Sequence, residues 1–311
     1  MGNVVQHARE TLQKYLFLFY SFLFLSCPLI IIIKNKLEIH KMPITFLTWN
    51  INKQDCLQPL KEILNDFQVD ILLLNESLLD DRQIYKETGL KRIISSHKRC
   101  KFYSKLPDTV FYLHSDVISD YILCCCLQIQ NEIVLIAGVH LPSKLWRDED
   151  TQTSMSIDYI EDINLQQKQL KLAQVIVFGD FNMNPFDKGM IDVKGFNNVS
   201  DKINAKITRK LNAREYDRFY NPTFSLLGDY IATTGAQKVA GTYYLDSLKS
   251  VNEHNWNMLD NVLLKGNIID TLDLATIQII QQTTNYKLVD IDKNEIFFSD
   301  HLPLLFKLNI Q

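Results

Sequence analysis

Six short polar motifs close apolar runs in this chain: Thr48-Trp49-Asn50, Leu74-Asn75-Glu76, Val139-His140-Leu141, Gly179-Asp180-Phe181-Asn182, Met258-Leu259-Asp260 and Ser299-Asp300-His301. An apolar run that stops at Glu, Asp, Asn or His reads as a strand carrying a polar side chain to one rim. Carboxylates, amides and imidazoles gathered at one rim are the parts of a metal-assisted phosphoester hydrolase. Glu76 offers oxygen to a hard divalent ion such as Mg²⁺ or Mn²⁺. Asp180 can take a proton from a water, or orient it, and the Asn182 amide can donate to phosphoryl oxygens. Two apart in an extended segment, Asp180 and Asn182 are expected to point the same way. Asp300 and His301, adjacent before a last strand, cannot both face one way in a strand but can converge on a site from a loop. Asp260 can hold His301 in the needed tautomer, and His140 can protonate a leaving oxygen.

These residues need strands to carry them. Residues 44–49 read as a strand, 56–67 as an amphipathic helix through Leu57, Leu60, Ile63, Leu64 and Phe67, and 69–74 as a buried strand. Further strands are expected at 109–113, 121–129, 133–139, 174–178, 258–264 and 302–308, with a turn at Asn131-Glu132 and a surface helix over 154–172. Residues 187–257 are polar, aromatic-rich and irregular, with the loop signals Asn221-Pro222, Gly228-Asp229 and Gly241. Strands and helices mixed along the whole length argue for one α/β domain.

The chain has 311 residues, and its apolar and charged fractions, 46% and 22%, are those of a globular protein. A net charge of −3 gives no global basic field. Outside residues 1–41 there are 28 basic and 34 acidic residues, a balance of −6. Charge is clustered instead. Lys86, Lys91, Arg92, Lys98, Arg99, Lys101 and Lys105 follow Glu76, and Arg209, Lys210, Arg214 and Arg218 interleave with Tyr216, Phe219 and Tyr220. Cations contact phosphates and aromatics stack on bases. Arg99 and Arg218 are therefore candidate substrate-binding residues, and Asn52, just past the Thr48-Trp49-Asn50 motif, is a third. The six cysteines include Cys124-Cys125-Cys126 in one apolar run and form no CxxC pair. This points to buried free thiols in a reducing compartment.

Residues 16–33 are 18 in a row without a charge, the minimum for a membrane-spanning helix. Lys34, Lys36 and Lys41 after it, against Arg9 and Lys14 before it, would place the following domain in the cytoplasm. An alternative is a start at Met42, directly before the first strand, which would cost the chemistry nothing. The expected organisation is thus an N-terminal segment, 1–41, and a catalytic domain, 42–311.

Together the motifs resemble the endonuclease/exonuclease/phosphatase superfamily, the fold of pancreatic deoxyribonuclease, abasic-site endonucleases, inositol-polyphosphate 5-phosphatases and neutral sphingomyelinases. The strongest matches are Gly179-Asp180-Phe181-Asn182 and Ser299-Asp300-His301-Leu302-Pro303, and the resemblance spans 43–309. It implies a four-layer sandwich: two packed mixed sheets flanked by helices, with the site at one end. By match, Glu76 is the main metal ligand, helped by Asp300 and Asn50. Asp180 activates the water, Asn182 holds the phosphate, His301 backed by Asp260 stabilises the transition state, and His140 assists the leaving group. Asn52 stands where several nucleases carry a second acid, and Asn75 where Gln is frequent before the Glu, leaving one or two metals open. The middle segment, with Arg218-Phe219-Tyr220-Asn221-Pro222 and Gly241-Thr242-Tyr243-Tyr244, resembles bacterial members of the superfamily. The leading expectation is a nuclease acting on DNA or RNA. Alternatives are a phosphatase or phosphodiesterase for a lipid headgroup or small phosphoester, and a phosphate-binding member without turnover. No protein partner can be inferred.

Overall fold

The apolar runs pair into two large mixed sheets. The computed structural model describes residues 43–143, 148–229, 238–246 and 254–310. The expected span at 16–33 lies outside these residues; among the described ones no helix is long and apolar enough to cross a membrane.

Strand β1 (Ile44–Asn50) is buried at every position and runs into helix α1 (Leu57–Asp66), which buries Leu57, Leu60, Ile63 and Leu64. The chain returns in β2 (Ile71–Asn75), parallel to β1 with Asn50 opposite Asn75. This is the strand–helix–strand unit expected from the periodicity. Helix α2 (Asp81–Thr88) follows, capped by the Asp80 side chain on Arg82 N–H (2.8 Å) and closed by Gly89 at φ 74°. The sequence reading missed α2, which is only eight residues long and buries Ile84 alone. Strands β3 (Lys91–Arg92) and β4 (Cys100–Ser104) complete this edge.

Strands β5 (Phe111–Ser119), β6 (Ile122–Ile129) and β7 (Glu132–His140) form an antiparallel meander. The tight turn is Gln130-Asn131, one residue before the expected one, with Gln130 at φ 50°. Helix α3 (Glu149–Leu170) begins earlier than expected because Asp148 caps it, accepting from Thr151 N–H at 2.7 Å. It crosses back to β8 (Val175–Asp180), parallel to β7 with His140 opposite Asp180. Tyr159, Ile160 and Ile163 of α3 pack on Leu135, Val175 and Val177 of the sheet.

The segment that reads as irregular holds short elements: α4 (Lys188–Ile191), β9 (Asn198–Val199), α5 (Lys202–Ala205), β10 (Arg209–Leu211), β11 (Arg214–Tyr216), β12 (Phe219–Tyr220), β13 (Tyr243–Tyr244) and β14 (Trp256–Asn257). Then come β15 (Asp260–Lys265), β16 (Leu272–Ile279), the small pair β17 (Val289–Asp290) and β18 (Glu295–Ile296), and β19 (Leu304–Leu308). The sequence reading missed β16, whose register breaks between Asp273 and Gln278 and spoils the period-two signal.

The strand orders are β16-β19-β1-β2-β4-β3 and β5-β6-β7-β8-β15-β12-β9. The two sheets meet through a cluster of rings. Phe178 of β8 sits edge-on to Phe46, Phe102 and Phe306, with centroids 5.8, 5.8 and 5.5 Å away. Such pairs add roughly 0.5–1.5 kcal/mol beyond their buried area. This is the expected four-layer α/β sandwich. Five buried cysteines, Cys56, Cys100, Cys124, Cys125 and Cys126, are free thiols, as expected. Burial pushes Cys56 and Cys124 up to about 12, so they act as small apolar residues.

Candidate active site

Register brings the motifs to one end of the sandwich. Asn50 ends β1, His140 ends β7, Asp180 ends β8 and Asp260 opens β15, where it lies opposite Asp180. Gly179, at φ 131°, makes the exit of β8 possible: a Cβ there would lie 2.3 Å from the Val139 carbonyl oxygen.

Asp180 is buried at the centre. Its Oδ2 accepts from Asn50 Nδ2 (2.9 Å) and Asn182 Nδ2 (3.2 Å), and its Oδ1 accepts from Asn182 N–H (2.8 Å). Asn182 is not extended as expected but turns back at φ 51°, with Nδ2 also donating to Leu141 O at 2.8 Å. A side chain-to-backbone turn of this kind favours Asn in the left-handed region. The two side chains still meet, by the turn rather than by strand alternation. Burial pushes the Asp180 carboxyl up, while His301 and His140 pull it down.

His301 is buried between two carboxylates. Its Nδ1 lies 2.8 Å from Asp260 Oδ2 and its Nε2 3.9 Å from Asp180 Oδ2. Burial alone would drive the imidazole neutral, but Asp260 and Asp180 outweigh it and raise the pKa to about 10. Asp260 Oδ1 is buried and has no hydrogen-bond partner among the described residues, so His301 carries its compensation. The backbone of His301 is fixed as well: Trp49 Nε1 donates to its carbonyl at 2.8 Å, and its N–H donates to Ser299 Oγ at 3.3 Å. Tyr243 packs its ring 5.0 Å from the imidazole. Trp49 and Tyr243 lie in quoted motifs, yet nothing in the sequence marks them as supports of His301.

His140 Nε2 stands 3.4 Å from Glu76 Oε1 and 3.7 Å from Asp180 Oδ2. Burial lowers its pKa, against the pull of Asp180 and Glu76. Glu76 sits just past β2 in the left-handed region, at φ 50°, and its side chain is 27% exposed. Its other oxygen lies 3.5 Å from the exposed Lys53 ammonium. Asp300 is exposed beside Asn50: Ser299 Oγ donates to Asn50 O at 2.7 Å and lies 3.3 Å from Asp300 Oδ1. Adjacent Asp300 and His301 thus diverge, one to solvent and one to the interior. Asn52, at φ 43°, donates its N–H to Asn50 Oδ1 at 3.0 Å.

Two groups could be asked to hold a divalent ion. Asp180, Asp260 and His301 bring ligand atoms within 4.8 Å of one another. But His301 faces carboxylates through both nitrogens, Asp260 at 2.8 Å and Asp180 at 3.9 Å, and their charge favours the protonated ring, which has no lone pair to give. The expected ligands Glu76, Asn50 and Asp300 offer only oxygens: the Glu76 carboxylate is 27% exposed and faces looser contacts from His140 and Lys53, Asp300 is exposed, and Asn50 is buried with Oδ1 accepting from Asn52 N–H.

Of the candidate substrate-binding residues, only Arg99 and Asn52 reach this end. Arg99 O accepts from Glu76 N–H (3.3 Å), and its guanidinium lies 4.8 Å over the Tyr121 ring. Lys91 is committed to Asp108, and Arg92 and Lys101 to Asp81. Arg218 is not brought here. It precedes β12, which pairs with β15 through Tyr220 and Leu264, about 13 Å along the strand from Asp260. Arg218 instead donates to Asn204 O at 3.3 Å.

Fold and site define a phosphoester hydrolase that works with a divalent metal. Residues 47–301 match the Endonuclease/Exonuclease/phosphatase family, and the chain belongs to that family. No curated protein matches it in sequence. Its fold is similar to that of truncated Caenorhabditis elegans TDP2, with TM-score 0.52, 15% identity, and 86% of this chain and 98% of that one covered. The human Nocturnin catalytic domain with bound sulfate gives 0.52 and 16%, covering 86% and 95%. ANGEL2, a 2',3'-cyclic phosphatase, gives 0.54 and 16%, with the same coverage.

Proposed function

We propose that this protein is a nuclease dependent on Mg²⁺ or Mn²⁺ that cleaves phosphodiester bonds with an activated water. The observation that carries this reading is the buried Asp180 carboxylate, held by two amides and set between His301 and His140. Asp180 accepts the proton of the attacking water, and its burial makes it a stronger base than a free carboxylate. Asn50 and Asn182 keep it in place. His301, charged and backed by Asp260, donates from Nε2 to a phosphoryl oxygen as negative charge builds there. His140 donates to the leaving oxygen. Glu76, Asn50 and Asp300 would hold the divalent ion, which would supply positive charge to the phosphoryl group.

Arg99 supports a polymer substrate. It lies over Tyr121 beside a cavity of about 690 Å³ that Ser96, His97, Lys98, Asp116 and Asp120 also line, and its carbonyl accepts from Glu76 N–H. A guanidinium on an aromatic ring suits a neighbouring phosphate and base. We also propose that residues 42–311 act in the cytoplasm and that 16–33, where translated, hold them at the membrane.

The test offers the full-length protein plasmid DNA, single-stranded DNA, RNA, a 2',3'-cyclic nucleotide and a lipid-headgroup phosphoester. Each is run with Mg²⁺, Mn²⁺ or EDTA. Cleavage of a nucleic acid that needs metal and is lost in Asp180→Ala and His301→Ala supports the proposal. Turnover of the headgroup ester alone would replace it with the lipid reading, which the apolar segment at 16–33 favours.

A further inference from the structure

Strand β15 opens at Asp260 in the active site and ends about 17 Å away at Lys265. The Lys265 side chain is only 7% exposed. Its ammonium donates to Asn164 Oδ1 at 3.1 Å, lies 3.7 Å from Asp217 Oδ2, and stands 5.1 Å from the centre of the Phe219 ring. A buried lysine has three hydrogens to place, and only the Asn164 contact is a full hydrogen bond. Asp217 is 64% exposed, so its compensation is diluted by water. Burial lowers the amine's pKa, and Lys168 pushes the same way against the pull of Asp217.

Lys265 lines a cavity of about 770 Å³, inside the range of small-molecule sites. The end of α3, the 193–195 loop and the β10–β11 hairpin supply its other walls, with Phe219 and Tyr216 as apolar surface. Lys168, Lys171, Lys194 and Arg214 stand around it. None of these four is in an ion pair among the described residues; of the three lining acids, Glu215 and Asp217 face Lys210 and Lys265, and Glu161 is left as the one acid set against four cations. The end of α3, the 193–195 loop and β11 thus bring positive charge to one cavity around the buried Lys265 of β15, in a protein whose overall balance is negative. A merely solvated surface would explain the exposed lysines but not an ammonium buried at their centre.

We propose that this cavity is a second binding site for a small phosphorylated molecule of nucleotide size. The phosphate sits against Lys265 and the surrounding cations, and the rest of the ligand lies along Phe219 and Tyr216. The volume, that of a small-molecule site, favours a small phosphate ester over a nucleic-acid strand.

The full-length chain is titrated calorimetrically in EDTA, separately with inorganic phosphate, adenosine monophosphate and a short single-stranded oligonucleotide. Saturable binding of phosphate or the monophosphate is expected. It should weaken at least tenfold in Lys168→Glu/Lys194→Glu, whose exposed positions spare the fold, and in Lys265→Met, and persist in Asp180→Ala. The proposal fails on no saturable binding of either small ligand, on binding that the rim double variant leaves unchanged, or on binding that only Asp180→Ala removes. Binding of the oligonucleotide alone would assign the cavity to the polymer instead.

Discussion

His301 owes its charge to its neighbours. An isolated buried imidazole would be neutral, and the Asp260 and Asp180 carboxylates reverse that. Asp260→Asn should therefore cost roughly 10²–10⁴-fold in kcat with KM little changed, because the partner acts when charge develops. Steady-state kinetics check it; an equal loss in KM would mean that Asp260 serves substrate binding instead. Trp49→Phe removes the donor to His301 O and leaves a buried carbonyl unpaired, a cost of about 1–3 kcal/mol in stability. Denaturant unfolding reads it, and an unchanged midpoint would show that the bond carries no weight. At this scale the sequence was informative about identity and order, since Asn50, Glu76, His140, Asp180, Asp260 and His301 all reach one end. It was silent on Trp49 and Tyr243, which support His301 by a backbone hydrogen bond and a ring contact that residue type does not announce. It also misjudged Asn182, where the side chain-to-backbone turn overrides strand alternation.

Elements set the geometry that these residues use. The tight exit of β8 depends on Gly179, whose φ and closeness to Val139 O leave no room for a Cβ. Gly179→Ala should destabilise the fold by about 2–4 kcal/mol and shift Asp180, so unfolding and turnover should both suffer. Full activity in the variant would contradict that. The loop before β4 is pinned by His97, whose Nδ1 accepts from Cys100 N–H (3.0 Å) while Nε2 lies 3.2 Å from Ser119 O. Burial lowers the His97 pKa, so the unfolded chain takes up the proton more readily. Its stabilising contribution is therefore complete above about pH 6.5, the unfolded value, and is lost as pH falls below it. His97→Gln should flatten that part of the stability profile, measured by unfolding between pH 5 and 8. An unchanged acid limb would assign it to other groups. Long, strongly periodic elements such as β1, α1 and β8 were legible in the sequence. Helix α2 and strand β16 were not, because one buries a single side chain and the other breaks its own period with a bulge.

At the scale of the molecule, two sheets joined through Phe46, Phe102, Phe178 and Phe306 hold the strand ends in fixed register. The described site residues, from Asn50 to His301, are therefore all positioned by the sandwich itself. A chain starting at Met42 should match the full-length protein in kcat on a soluble substrate, and a loss above about tenfold would make the segment part of the enzyme. The central claim is that the rim carboxylate Glu76 governs the metal while Asp180 governs the chemistry. The most direct measurement is the rate of single-stranded DNA cleavage against Mg²⁺ concentration for wild type, Glu76→Gln and Asp180→Asn. The account predicts a large rise in the Mg²⁺ needed for half-maximal rate in Glu76→Gln. It predicts in Asp180→Asn a fall in maximal rate of roughly 10²–10⁴-fold at little-changed metal demand. Glu76→Gln with an unaltered metal requirement, or wild-type cleavage that persists in EDTA, would contradict it.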